Sequence, residues 1–420
     1  MRLLFTSIGI LFATFIQAQT YTLQEIETLS IKNYPLTKQA AILNQSANFN
    51  IDNIKKALYP QLNINGQATY QSEVTSINLP IAGFKPNSLS KDQYRATAEL
   101  QQTIYDGGFN KKMQGVALAN AKLEIIKNEV DIYKLKERVT QIYCTVLYTN
   151  EVVDQIHLIQ SDLENALLKI ESLYKNGLVF KNNVLQIKAQ LLKNSQKLDE
   201  ALAAKRMVLD ALELFTNQPI ASNANFEIPK DILIDINDLV LSRPELLLFE
   251  AQMSSVQKQL GLVNAKTNPK LGAFVQGGYG RPGLNMLKND FDWFSIGGVK
   301  LQWSLGGYYT AKKEKDILQN QAALIQNEKD TYSLNNRVQL KQQLDEIAKI
   351  EKLIQSDKEI VALRDQIKNT SLVQLNNGVI TANDYLKEIN EYDLANQSLV
   401  QHQTQLIQSK LQFQLIKGKN

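Results

Sequence analysis

Two histidines, His157 and His402, and one cysteine, Cys144, are the residues through which this chain could do acid–base, metal or thiol chemistry. Their types and spacing support little of it. One cysteine forms no intrachain disulfide and no cysteine-based zinc site. The two histidines lie far apart in helix-patterned sequence, where surface or seam positions explain them. Cys144 falls beside the apolar position Ile142 and reads as a small packing residue. No phosphate-binding glycine loop is present, and Gly277-Gly278-Tyr279-Gly280 has no helix after it, so it is not a dinucleotide fingerprint. The expectation is a protein without catalytic residues, cofactor or metal.

Composition narrows the class further. The 420 residues are 44% hydrophobic and 21% charged, too apolar for a disordered chain. The net charge of +4 is small for this length, so nucleic acid is not an expected partner. Met1 and Arg2 precede an apolar run, Leu3 to Ile16, and then Gln17-Ala18-Gln19. This predicts a signal peptide, residues 1–18, cleaved after Ala18. No cysteine follows the run, so no lipid anchor is expected. After residue 20 no stretch reaches the ~20 apolar residues of a spanning helix.

What remains is the question of which elements such a chain builds, and its prolines and glycines mark them. All nine prolines fall at 35, 60, 80, 86, 219, 229, 244, 269 and 282, leaving 87–218 and 283–420 free of helix breakers. The marks recur. Pro35 and Pro244 are offset by 209, as are Pro60 and Pro269, and Leu62 and Leu271. Gly107-Gly108 answers to Gly306-Gly307, and Gly177 to Gly378. Landmarks repeating in one order indicate an internal duplication of about 200 residues. Each half reads helix, strand, loop, strand, long helix, turn, helix.

From Asn110 to Tyr174 apolar positions step by three and four: Ile132, Leu135, Val139, Ile142, Val146, Val153, Ile156, Leu163, Leu167 and Ile170. Thr149 and Gln160 make the seam partly polar. Such a run predicts a helix of roughly 100 Å at ~1.5 Å per residue. Tyr308 to about Gln374 matches it. Beyond Gly177 and Gly378 a second helix returns, Asn183 to Phe215 and Asn383 to Lys417, giving two helical hairpins.

Four segments alternate with period two instead. Leu62, Ile64, Gly66, Ala68 and Tyr70 share one face, as do Tyr94, Ala96, Ala98 and Leu100. Leu271, Ala273, Val275, Gly277 and Tyr279 form a third apolar face, and Trp293, Gly297, Val299, Leu301 and Trp303 a fourth. Each run is about ten residues, the length of a tilted membrane strand. The two tryptophans, ten apart, span roughly 23 Å at ~3.3 Å per residue and ~45° tilt. That matches an apolar band of ~25 Å with aromatics at both interfaces. Four strands cannot close a barrel, so the chain must oligomerise, and three copies give twelve strands.

With these features together the chain resembles the TolC-like family of outer-membrane efflux proteins. The resemblance rests on the duplication, on Tyr59-Pro60-Gln61-Leu62 and Asn268-Pro269-Lys270-Leu271 before strands, and on Tyr105-Asp106-Gly107-Gly108 and Ser304-Leu305-Gly306-Gly307 before helices. It rests also on the turn motifs, Tyr174-Lys175-Asn176-Gly177 leading to Asn183-Val184-Leu185, and Leu375-Asn376-Asn377-Gly378 leading to Asp384-Tyr385-Leu386. It implies a mainly α fold with membrane β: a homotrimer whose twelve-stranded outer-membrane barrel stands on a long periplasmic α-helical barrel. The expected organisation is a first repeat, 19–218 (strands about 62–72 and 94–104, hairpin about 109–215), a linker, 219–238, and a second repeat, 239–420 (strands about 271–280 and 293–303, hairpin about 308–417).

The resemblance further implies an exit duct for a tripartite efflux or type I secretion system in the outer membrane and periplasm of a Gram-negative bacterium. Its partners are a periplasmic adaptor, an inner-membrane transporter and outer-membrane lipid. The adaptor-contacting tips fall on Gly177, Leu178, Val179, Gly378, Val379, Ile380 and Thr381, and the membrane-interface aromatics on Trp293 and Trp303. A periplasmic constriction falls on Asp384. Lys387 stands three residues on, where a second acid can occur in the family, and Glu388 follows it. The alternative reading is a surface-exposed structural or adhesive coiled-coil protein, which leaves the strands and tryptophans unused.

Overall fold

The computed structural model describes residues 20–75, 89–230, 232, 234 and 240–418. The expected signal peptide, most of the first strand-to-strand loop and part of the linker lie outside them. The described elements follow one another as β1 (Thr20–Tyr21), α1 (Leu23–Asn33), a 3-10 turn (Pro35–Lys38), α2 (Gln39–Lys56), β2 (Gln61–Tyr70), β3 (Asp92–Tyr105), α3 (Phe109–Lys175) and α4 (Lys181–Thr216). Then come β4 (Asn225–Phe226), α5 (Pro244–Lys266), β5 (Lys270–Arg281), β6 (Asp292–Gln302), α6 (Gly307–Asn376) and α7 (Ala382–Lys417). The proline-free tracts thus hold α3, of 67 residues, and α6, of 70. The chain is mostly helical with one larger sheet, and the order helix, strand, strand, long helix, helix occurs twice.

Two compact units divide the chain. One comprises Lys38–Glu129 and Glu245–Thr331. It holds a four-stranded antiparallel sheet in the order β2-β3-β5-β6. The period-two pattern works here as pleat geometry requires. One face carries Leu62, Ile64, Val275, Val299 and Leu301, all exposed; Val299, with 67% of its surface open, is typical. The outer strands β2 and β6 each pair on one side only among the described residues.

The strand-to-helix corner after β3 needs its glycines. Gly107 and Gly108 take φ of +73° and +79°, which side chains resist. A Cβ on Gly107 would come 2.6 Å from Asn268 Cβ, and Asn268 Nδ2 donates to the Gly107 carbonyl at 2.8 Å. Asp106 caps α3, accepting from the Gly108 and Asn110 amides. The second corner repeats the letters but not the conformation. Gly306 and Gly307 stay out of the left-handed region, and Ser304 and Leu305 stand where the first corner has Tyr105 and Asp106. There Trp303, just past β6, donates its indole N–H to the Thr267 carbonyl at 3.0 Å.

The other unit comprises the chain up to Thr37, Val130–Pro244 and Tyr332 onward. Its largest core gathers Ile26, Leu135, Val139, Tyr143, Val146, Leu209, Leu212 and Phe226. Against it the two-residue strands β1 and β4 pair in parallel, Thr20 with Asn225 and Tyr21 with Phe226. The Tyr143 hydroxyl lies 2.9 Å from the Tyr21 carbonyl and 2.7 Å from that of Glu227, so the long helix holds both strands. Cys144 is buried, and burial pushes its thiol up to about 12, which leaves it unreactive.

Candidate functional site

Both helical hairpins have their turns in this second unit, and each turn is built the same way. α3 ends on Gly177 at φ +71° and α6 on Gly378 at φ +70°. The Leu178 amide reaches back to the Leu173 carbonyl (2.9 Å) and Gly177 to Tyr174 (3.0 Å). Val379 reaches Gln374 (2.9 Å) and Gly378 reaches Leu375 (3.0 Å). These are two Schellman turns, with glycine where only a left-handed residue closes them. The residue after each glycine is apolar and open, Leu178 at 69% and Val379 at 70% exposure. The next one turns inward. Val179 and Ile380 pack on a core whose buried members include Leu163, Ile170, Ile187, Leu375, Tyr385 and Ile389.

The tips differ at the next position. Phe180 precedes α4, is 85% exposed and gives no side-chain cap. Thr381 precedes α7 and forms a capping box with Asp384. The Thr381 amide and hydroxyl donate to Asp384 Oδ2 at 3.0 and 2.7 Å, and the Asp384 amide donates to Thr381 Oγ1 at 3.3 Å. These bonds, first from the Thr381 hydroxyl and then from its amide, hold the Asp384 carboxyl below the usual aspartate range. A lowered carboxyl contributes its stabilisation above the ordinary aspartate value and loses it as pH falls through the lower folded value. Protection of amides 382–385 against hydrogen exchange is therefore expected to hold from pH 7 to 5 and to fall only below about 4. Thr381→Ala should lower that protection at neutral pH by roughly fivefold, the effect of losing an N-cap. Equal protection in the two proteins would sink this assignment.

Of the three residues expected at a constriction, two already have partners. Asp384 is engaged by Thr381, and Glu388 lies 3.4 Å from Arg364, which also pairs with Glu391 at 3.0 Å. Lys387 is exposed. With Glu391 the cluster of Asp384, Lys387, Glu388 and Arg364 carries one net negative charge, a weak acidic patch.

Behind the tips, polar groups join the hairpins. Lys368 Nζ is 2.8 Å from Asp162 Oδ2 and 4.1 Å from the centroid of Tyr392. Asp393, only 6% exposed, accepts from Gln155 (3.1 Å), Lys197 (3.0 Å) and Gln397 (3.1 Å). The partly polar seam foreshadows this layer, but the sequence pointed to neither Lys368 nor Asp393. No helix spacing by itself tells which distant side chain a buried polar group meets.

His157 is exposed, and His402 Nδ1 lies 2.5 Å from Asp357 Oδ2 across α6 and α7. Among the described residues no group of three or more His, Cys, Asp or Glu side chains could hold a metal ion. No described helix is long and apolar enough to cross a membrane.

Against known proteins, residues 28–217 match the family model for outer membrane efflux proteins. No curated protein matches the chain in sequence. Its fold is similar to that of VceC, an outer membrane protein of Vibrio cholerae, at 16% identity and TM-score 0.67, covering 95% of this chain and 96% of that one. It is similar to CusC at 13% identity and TM-score 0.70, covering 95% and 92%. It is similar to the outer membrane channel MtrE of Neisseria gonorrhoeae at 14% identity and TM-score 0.66, covering 94% and 89%. The fold is TolC-like.

Proposed function

From a chain that resembles the outer membrane efflux proteins over residues 28–217 and shares the TolC-like fold along nearly its whole length, we propose an exit duct of the outer membrane. It conducts cargo passively and works with an inner-membrane transporter through a periplasmic adaptor, in an efflux or type I secretion system of a Gram-negative cell. The observation that carries the reading is the sheet. One face is exposed and aliphatic, and both edges are open among the described residues. The aliphatic face is unfavourable in water and suited to lipid, and the open edges are stable in lipid only where copies close on one another. Four strands per chain and three chains make a twelve-stranded barrel, an allowed even number. Trp293, its ring tilted against Tyr279 at 5.0 Å, marks one membrane interface and Trp303 the other. We place the two repeats at 19–218 and 239–420, with 219–238 as the linker.

The hairpin tips are the adaptor-docking sites. Gly177, Leu178 and Val179 of one, with Gly378, Val379, Ile380 and Thr381 of the other, present an open aliphatic residue on a rigid turn. Asp384, Lys387 and Glu388 line the narrow end around the axis, where their sum of one negative charge per copy, offset by Arg364 beside Glu388, gives weak charge selection. A coiled-coil adhesin would have no use for the exposed sheet face.

The test uses the full chain in detergent and in cells. Purified protein is expected to be trimeric, and a monomer would overturn the duct. Leu178→Asp with Val379→Asp should leave the trimer intact but lower adaptor crosslinking and export by at least about tenfold, the equivalent of ~1.4 kcal/mol. Undiminished crosslinking would remove the tips as docking sites.

A further inference from the structure

The polar face of the sheet carries two phenylalanines among its amides. Phe274 of β5 and Phe294 of β6 stand on the same face as Asn63, Asn65, Thr97 and Gln101. Each pairs in register with a glycine of the neighbouring strand, Phe274 with Gly298 and Phe294 with Gly278. A Cβ on Gly278 would overlap the Phe294 ring, and one on Gly298 would come 3.2 Å from Phe274 Cε1. The rings therefore lie across bare backbone, which at Gly278 only glycine permits and at Gly298 a side chain would crowd. Each has one side covered by the sheet and the other turned to the space before it.

The two rings are not equivalent. The Arg95 guanidinium sits 5.6 Å from the Phe294 centroid. Among the described residues no cation stacks on Phe274. Beside Phe274 lies a hollow of about 270 Å³, walled by Lys270, Gly272, Lys300, Gln101 and Gln302. Lys270 Nζ is 5.2 Å from the centroid of Phe109, which leaves its charge at the rim. Glu99 also borders the hollow, but its carboxylate already accepts from Gln276 (3.1 Å) and from Gln101. At the far end of β6, Asp292 pairs with Lys288 at 3.7 Å. The face thus has a half-buried aromatic ring with no cation stacked on it, flanked by two lysines, with its one mid-strand acid occupied.

We propose that this hollow is a cargo subsite for flat aromatic organic anions, which stack on Phe274 and set their charge between Lys270 and Lys300. The inference rests on the duct reading, in which the polar face lines the lumen. The hollow is slightly smaller than the ~300 Å³ of ordinary ligand pockets and is open, so it holds cargo weakly. That suits a conduit, where a site must release what it binds.

Equilibrium dialysis of the full-length protein in lipid nanodiscs decides the subsite, with 2-naphthalenesulfonate as probe and methanesulfonate as the non-aromatic control. Saturable binding of the naphthyl anion is expected, with no saturable binding of methanesulfonate. Its dissociation constant should rise at least about tenfold in a Lys270→Gln/Lys300→Gln variant. Phe274→Leu, which keeps bulk but removes the ring, should give a similar rise. Binding unchanged in both variants would overturn the proposal, as would equal binding of methanesulfonate or of a naphthylmethylammonium cation. Planar-bilayer conductance of the same preparation tests the duct separately: a conducting protein that fails dialysis loses only the subsite, and one that binds without conducting loses only the duct.

Discussion

Val299→Arg is expected to cost about 2–4 kcal/mol of membrane stability, the penalty for a guanidinium on the lipid face near the bilayer midplane. Val299 lies midway along β6, opposite Ala273, on the face that carries Leu301 and Trp293. Ile296→Arg, three residues earlier, is expected to cost under about 1 kcal/mol, because odd and even positions of one strand face opposite ways. In the proposed barrel that side is wet, and it already holds Arg95 and Lys300. Folded protein recovered from the outer-membrane fraction, and guanidinium unfolding in lipid vesicles, read the two variants. A shared large loss would show that the sheet does not separate lipid from water.

The second large effect is expected at Asp393. Its buried carboxylate accepts from three side chains on α3, α4 and α7. Asp393→Ala strands those donors and should destabilise the hairpin pair by about 2–3 kcal/mol. Lys197→Ala should cost no more than about 1 kcal/mol, since the Lys197 side chain is 39% exposed and the carboxylate keeps both glutamines. The asymmetry is the test: thermal unfolding of the two single variants and the double should place most of the loss on the acid. Equal losses would mean that the ion pair, rather than the buried acceptor, holds the layer.

The large elements were legible because each leaves a local trace. Alternation at Leu271, Ala273 and Val275 wrote β5, and the absence of proline after 86 and after 282 wrote α3 and α6. Gly177 and Gly378 wrote the turns, since a left-handed residue must stand there. What stayed hidden depends on distant partners. β1 and β4 are two residues each and pair the start of the first repeat with the linker after it, so neither has a period to detect. Gly306-Gly307 copies the letters of Gly107-Gly108, but only the first pair takes positive φ, and only Gly107 of it is pressed on Asn268. Phe274 and Phe294 interrupt the polar face, and only register shows that each lies over a glycine. The spacing Thr381-x-x-Asp384 was a readable capping signature, whereas family resemblance pointed the same aspartate at the pore. The local bonds leave room for the second role, but they occupy one carboxylate oxygen.

The two hairpins end in turns of the same geometry, yet α7 starts on a closed capping box and α4 starts on Phe180 with none. Free amides at a helix start fray more readily than satisfied ones. Arranged around an axis, three copies would alternate stiff and yielding teeth. Such a rim behaves less like a uniform iris than like a ratchet collar, whose soft members give way first under a pulling partner while the stiff ones keep its register.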